Sequence, residues 1–193
     1  EDLYRSADAV FQAMDGDRPF FATLLTLSFH RDYAIPAGKI EPVDPDDPHA
    51  DQLDAIRYTD YALGAFFERA READYFENTI FVIAADHDGG FADTEPEPVN
   101  MRVPVLIYAP SIVGDEGRRV STVCSQADVP PTILALLGGA YEHGFFGSDI
   151  LSRDPAAGRA VSHTYNDTLM VVDADETIAL VPPGGAEIGR AHV

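Results

Sequence analysis

Positive charge is scarce in this chain of 193 residues: 13 Lys and Arg stand against 33 Asp and Glu, a formal net charge of −20. Proteins that grip a phosphate backbone cluster Lys and Arg on it, so the balance speaks against a nucleic acid or an anionic membrane surface as partner. The excess acid reads as a solvated surface suited to salty surroundings, with some carboxylates available to hold a cation. Cysteine is almost absent. Cys124 is alone, so no internal disulfide forms, and with no His near it in sequence it reads as a small buried residue rather than a nucleophile. No apolar run approaches the roughly 20 residues that span a bilayer. No signal peptide is visible and the chain opens on Glu1-Asp-Leu-Tyr4 without Met, so a processed, trimmed or excerpted piece is expected. Internal repeats are missing. So are His-x-x-His and Cys-x-x-Cys pairs, which leaves no ready-made metal clamp.

What remains is the balance of a folded domain. Hydrophobic residues make up 46% and charged residues 24%, enough for one sizeable core and too little chain for two comfortable ones. Leu3, Ala7, Val10, Phe11 and Met14 recur at helical spacing and predict a helix over 3–15, ended by Gly16 and Pro19. Phe20 to Ser28 is apolar nearly throughout, as a strand covered on both faces would be. A proline-bearing loop over 31–49 leads to the clearest helix, 50–74, with Leu53, Ile56, Leu63, Phe66, Phe67 and Ala70 along one stripe. Asn78 to Ala85 predicts a second buried strand and Val103 to Tyr108 a third. Asp128 reads as the cap of a helix with Pro130 and Pro131 in its first turn, stopped by Gly138-Gly139. Short β-like stretches at 160–164, 169–173 and 177–181 predict a small antiparallel appendage.

Strands apolar on both faces, alternating with helices, argue an α/β fold with a mostly parallel sheet between helices. In such sheets ligands bind beyond the carboxyl ends of the strands. Two candidates fall there: His30 after the first strand, and Asp86-His87 after the second. A carboxylate beside an imidazole suits Zn²⁺ or Mn²⁺. Neighbours on a strand point apart, so both reach one cation only where the strand has broken into a loop, which Gly89-Gly90 permits. His30 is placed to bind an anionic ester oxygen or to protonate a leaving group. Asp60, on the apolar side of the long helix, is expected to hydrogen-bond backbone or a loop, and Arg57 to form a surface ion pair. His49, His143, His163 and His192 share no metal-ligand spacing.

The order of several segments resembles the sulfatase-type branch of the alkaline phosphatase superfamily. Those segments are Pro19-Phe-Phe-Ala-Thr-Leu-Leu-Thr-Leu-Ser-Phe-His30, Arg57-Tyr-Thr-Asp-Tyr-Ala-Leu-Gly64 and Asn78-Thr-Ile-Phe-Val-Ile-Ala-Ala-Asp-His87. Val103-Pro-Val-Leu-Ile-Tyr-Ala-Pro110, Ser125-Gln-Ala-Asp-Val-Pro-Pro-Thr-Ile-Leu134 and Phe145-Phe-Gly-Ser-Asp149 continue it. Within that branch the chain is similar to the lipoteichoic acid synthase and phosphoglycerol transferase group, over about residues 1–151. The resemblance implies an alkaline phosphatase-like sandwich, with 1–158 as the C-terminal half of the catalytic domain and 159–193 as a β appendage of it. It implies that Asp86 and His87 ligate a catalytic metal and that His30 contacts the substrate's phosphate or sulfate. The family's nucleophile and its acidic metal ligand lie upstream and have no counterpart here. Where the family usually reads Asp-His-Gly, Asp88 intervenes before Gly89 and adds a carboxylate.

The function so implied is a metal-dependent phosphoglycerol-type transferase or phosphodiester or phosphate-ester hydrolase. A hydroxyl attacks phosphorus, a covalent enzyme ester forms, and an alcohol or water releases it. The alternatives are a sulfatase acting on sulfate esters and a non-catalytic scaffold. One or two divalent ions are expected, Mn²⁺ first, with Zn²⁺, Mg²⁺ or Ca²⁺ as further options. The expected partners are a phosphate- or sulfate-ester substrate, such as a phospholipid head group, and the missing N-terminal half. The resemblance places the parent protein at a membrane with its catalytic domain outside the cytoplasm, and the 193-residue piece alone is expected to be soluble and inactive.

Overall fold

The computed structural model describes residues 1–14, 16–89, 102–114, 116–163, 169–173, 177–180 and 190–191. The chain divides into two compact units, Glu1–Thr79 and Ile80–Val193.

The first unit is built on two helices, α1 (Asp2–Gln12) and α2 (Ala50–Ala70). Both lie where the 3.6-residue period puts them. Of the expected stripe Phe66 and Ala70 are buried, but the rest of the buried face of α2 is Ala55, Tyr58 and Ala62, and Ile56 is exposed. Small residues at three- and four-residue spacing let another element approach closely, and Tyr4 on α1 packs its ring 5.3 Å from Phe66. Burying a Phe side chain contributes roughly 1.5–3 kcal/mol, so Phe66 anchors this contact. On α1 the buried positions are Ala7 and a carboxylate, Asp8. Asp8 accepts from Tyr75 Oη at 2.6 Å and from Gln12 Nε2 at 3.0 Å, which answers its burial.

Asp60 is exposed, contrary to the expectation that it faces inward; the rotation of the buried face carries it out to solvent. Arg57 donates to the Glu41 carbonyl at 2.9 Å, tying the proline-bearing loop to α2, and the expected ion pair with a surface acid is not found among the described residues. Residues 20–28 carry no ladder pairing. Phe21, Leu25 and Leu27 are 84%, 69% and 72% exposed. The apolar run predicts covering on both faces, and most of it is uncovered, with only Leu24 and Ser28 half-buried. A stacked contact of Phe20 with Phe11, centroids 5.0 Å apart, fixes its start.

The second unit opens on β1 (Phe81–Ala84), paired antiparallel with β2 (Val105–Tyr108), Phe81 opposite Tyr108 and Ala84 opposite Val105. Short α3 (Pro110–Val113) follows, and then α4 (Val129–Leu137), which ends at Gly138 and Gly139 with φ of 78° and 84°. Positive φ there is what glycine supplies at a helix end. Asp128 is the N-cap residue of α4, as expected, but its side chain makes no capping bond to that helix; it closes a single 3₁₀ turn, Gln126–Asp128, whose own N-cap is Ser125. The last strands, β3 (Ala160–His163), β4 (Leu169–Val172), β5 (Thr177–Leu180) and β6 (Arg190–Ala191), form an antiparallel meander in chain order. The expected appendage is therefore present. The mostly parallel pairing is not found among the described residues, where every ladder is antiparallel. Thr164, Val181, Gly90 and His192 lie outside the described residues.

Candidate metal centre

β1 delivers Asp86 and His87. Its ladder with β2 is extended by one more bond, Ala85 N to Pro104 O at 3.2 Å, and the chain then bends at Asp86 and His87. On a continuing strand successive side chains would point to opposite faces. Here they converge, with Asp86 Oδ2 3.7 Å from His87 Nε2. Both side chains are mostly exposed, so a ligand has access.

The hydrogen bonds fix which atoms face that gap. His87 Nδ1 lies 2.7 Å from the Asp88 carbonyl oxygen. A carbonyl only accepts, so Nδ1 donates to it, and Nε2 is the ring nitrogen on the side of the carboxylate. Holding one ring nitrogen on a carbonyl is how metal-binding histidines are oriented. The extra Asp88 thus contributes its main chain. Asp86 Oδ1 accepts from the His87 amide at 3.0 Å, which leaves Oδ2 toward the imidazole. One hard oxygen and one imidazole nitrogen on opposite sides of such a gap fit a divalent cation of the Zn²⁺ or Mn²⁺ type. They are two donors only: among the described residues no group of three or more His, Cys, Asp or Glu could hold a metal ion.

The bend is braced from below by a feature that spacing does not reveal. Gln126 Nε2 donates to the carbonyls of Ala85 at 2.7 Å and Asp86 at 2.8 Å. Gln126 opens the turn that ends at Asp128, and buried Asp128 is held on all sides. Its carboxylate accepts from the amides of Ser125 and Ser148, each at 2.8 Å, and from Arg153 Nη2 at 2.5 Å. Burial pushes the Asp128 carboxyl up, but those two amides and the guanidinium outweigh it and hold the group below its ordinary value. Thr132 Oγ1 donates to the Asp128 carbonyl at 2.7 Å and accepts from Ile150 N at 3.0 Å. Cys124 is half-buried next to this network. Burial, and then the Asp128 charge, push its thiol up, which suppresses the thiolate a nucleophile would need.

His30 belongs to the first unit and is exposed, in the turn after residues 20–27, where its amide donates to the Leu27 carbonyl at 3.2 Å. Asp86 and His87 belong to the second unit. Asp86 and His87 follow a strand, β1, whereas His30 follows residues 20–28, which form no ladder. His49 pairs with Gln52 Oε1 at 3.0 Å, and His143 lies between the rings of Tyr141 and Phe145, so neither is oriented toward a shared ligand.

A solved structure shares this architecture. The chain is 34% identical to a protein in the alkaline phosphatase superfamily from Vibrio parahaemolyticus, with a TM-score of 0.79 over 94% of this chain and 44% of that one. The fold is therefore the α/β fold of that superfamily, with a small C-terminal β element. Residues 1–140 match the Sulfatase family model, and the chain belongs to the sulfatase family. Its relatives fall on the lipoteichoic acid synthase side of it. The chain is 30% identical to lipoteichoic acid synthase 1 of Bacillus subtilis, over 71% of this chain and 24% of that protein. It is 29% identical to the lipoteichoic acid synthase-like YvgJ of the same organism, over 71% and 25%. Lipoteichoic acid synthase of Staphylococcus saprophyticus is 28% identical, over 82% and 25%. The chain thus spans about a quarter of the length of these curated relatives. No helix among the described residues is long and apolar enough to cross a membrane.

Proposed function

We propose that this chain is part of a metal-dependent transferase or hydrolase of phosphate esters, of the phosphoglycerol-transferring kind, and that Asp86 and His87 ligate its metal. The observation that carries the reading is the Oδ2–Nε2 pair at the β1 exit, its imidazole ring oriented by the Asp88 carbonyl. A divalent ion held there would offset charge on the non-bridging ester oxygens and lower the pKa of an attacking hydroxyl. Mn²⁺ is the first candidate. His30 binds an ester oxygen or gives a proton to the leaving alkoxide, a role for which its exposure leaves it available. Residues 1–158 are then the C-terminal part of the catalytic domain and 159–193 an appendage to it. The relatives are named as lipoteichoic acid synthases, which supports the transferase reading; a phospholipid head group as substrate and a catalytic domain outside the cytoplasm, at a membrane, are part of the same proposal.

The first test is Mn²⁺ binding to this chain, read from loss of the free-ion electron paramagnetic resonance signal. Asp86→Ala and His87→Ala are each expected to weaken binding at least about tenfold. Equal binding by all three proteins would remove the metal assignment and leave a scaffold.

A further inference from the structure

We propose that Gln126 is a positioning residue for the Asp86–His87 pair. The inference rests on the metal reading given above and identifies what sets the pair's geometry. In an extended strand the carbonyls of successive residues point to opposite sides. One amide nitrogen meets both the Ala85 and Asp86 carbonyls, at 2.7 and 2.8 Å, only because the chain has turned there. The same turn brings the Asp86 and His87 side chains to one side. An NH₂ group has two hydrogens, and each finds a carbonyl that the β1–β2 ladder no longer serves. The residue thus closes a loop of some 40 residues with a single side chain.

Its other end is rigid. Gln126 begins the turn whose last residue, Asp128, is clamped by Ser125, Ser148 and Arg153. Gln126 is itself exposed, so its packing contributes little to the core, and its two bonds are what a substitution would remove. Sequence order alone gives no sign of this: nothing about residue 126 points forty positions back.

The test uses the 193-residue chain with Gln126→Met, which keeps length and volume but has no donor, and Gln126→Glu, which faces both carbonyls with acceptors. Three quantities are read: melting temperature, hydrogen–deuterium exchange of peptides covering 81–89, and Mn²⁺ affinity beside that of Asp86→Ala. The expected result is a melting temperature within about 2 °C of the unsubstituted chain. Exchange in 81–89 rises in both variants, and Mn²⁺ affinity falls about tenfold. Unchanged exchange in 81–89 for Gln126→Met overturns the proposal, and so does unchanged Mn²⁺ affinity where Asp86→Ala has lost it. If Asp86→Ala binds Mn²⁺ as tightly as the unsubstituted chain, the metal reading has failed, and the exchange measurement alone decides whether Gln126 holds the bend. A Gln126→Met chain that does not fold transfers the same two readings to Gln126→Glu.

Discussion

Asp128 joins more of the second unit's hydrogen bonds than any spacing rule assigns to it. As the expected cap of α4 it would accept one amide; instead it accepts two amides and a guanidinium while buried. Removing one member of such a group leaves the others desolvated and unpaired, which costs more than the pair itself contributes. Asp128→Ala should therefore destabilise the chain by about 3–5 kcal/mol, measured as a shift in urea midpoint. The pH dependence has a definite sign. The folded carboxyl titrates below its ordinary value, so its contribution is fully present above an unfolded pKa of about 4 and is lost as pH falls through the lower, folded value. Urea unfolding from pH 5 downward should show the unsubstituted chain losing its advantage over Asp128→Asn only in that acid window. A constant gap across it would contradict the assignment. Asp86-His87 was legible in the sequence because its chemistry sits in two adjacent letters at a strand exit. Asp8 was not, because a helix stripe is read from apolar positions and a buried carboxylate looks like surface until Tyr75 and Gln12 are seen beside it.

Elements were easier to read than the faces they bury. The two long helices announce themselves by period, yet the face of α2 turned inward joins Ala55, Tyr58 and Ala62 to Phe66 and Ala70 of the expected stripe and leaves Ile56 exposed. The run over 20–28 shows the limit from the other side. Its composition states that it requires covering, and composition does not name the covering element. The segment Phe145 to Asp149, recognisable only as a motif, has a physical role once the turn before α4 is in view. A Cβ on Gly147 would lie 2.0 Å from the Ala127 carbonyl oxygen and 2.6 Å from the Asp128 nitrogen. Those atoms are backbone and have no rotamer to yield. Gly147→Ala should destabilise by about 1–3 kcal/mol through forced backbone displacement. Because the displaced turn carries Gln126, exchange over 81–89 should rise with it. Destabilisation without that local rise would separate the packing of Gly147 from the brace on the β1 exit.

At the scale of the whole molecule, the site's incompleteness and the chain's charge bear on the same question. Phosphoryl-type transfer is accelerated mainly by positioning and by stabilising charge. On the proposed metal reading the two donors at the β1 exit would do part of that, and no third joins them among the described residues. The chain also carries a formal charge of −20, which repels an anionic ester unless a cation intervenes. Both effects point the same way for the 193 residues taken alone. Assayed with an aryl phosphodiester and an aryl sulfate, with and without Mn²⁺, the chain should show no metal-stimulated turnover above the rate in buffer. Turnover that follows the chain through purification and disappears in Asp86→Ala would reverse this. It would place a nucleophile within these residues, and the ester that reacts faster would then separate phosphate transfer from sulfate hydrolysis. Turnover that survives Asp86→Ala would instead come from chemistry away from the β1 exit, and the assignment of Asp86 and His87 would fall with it.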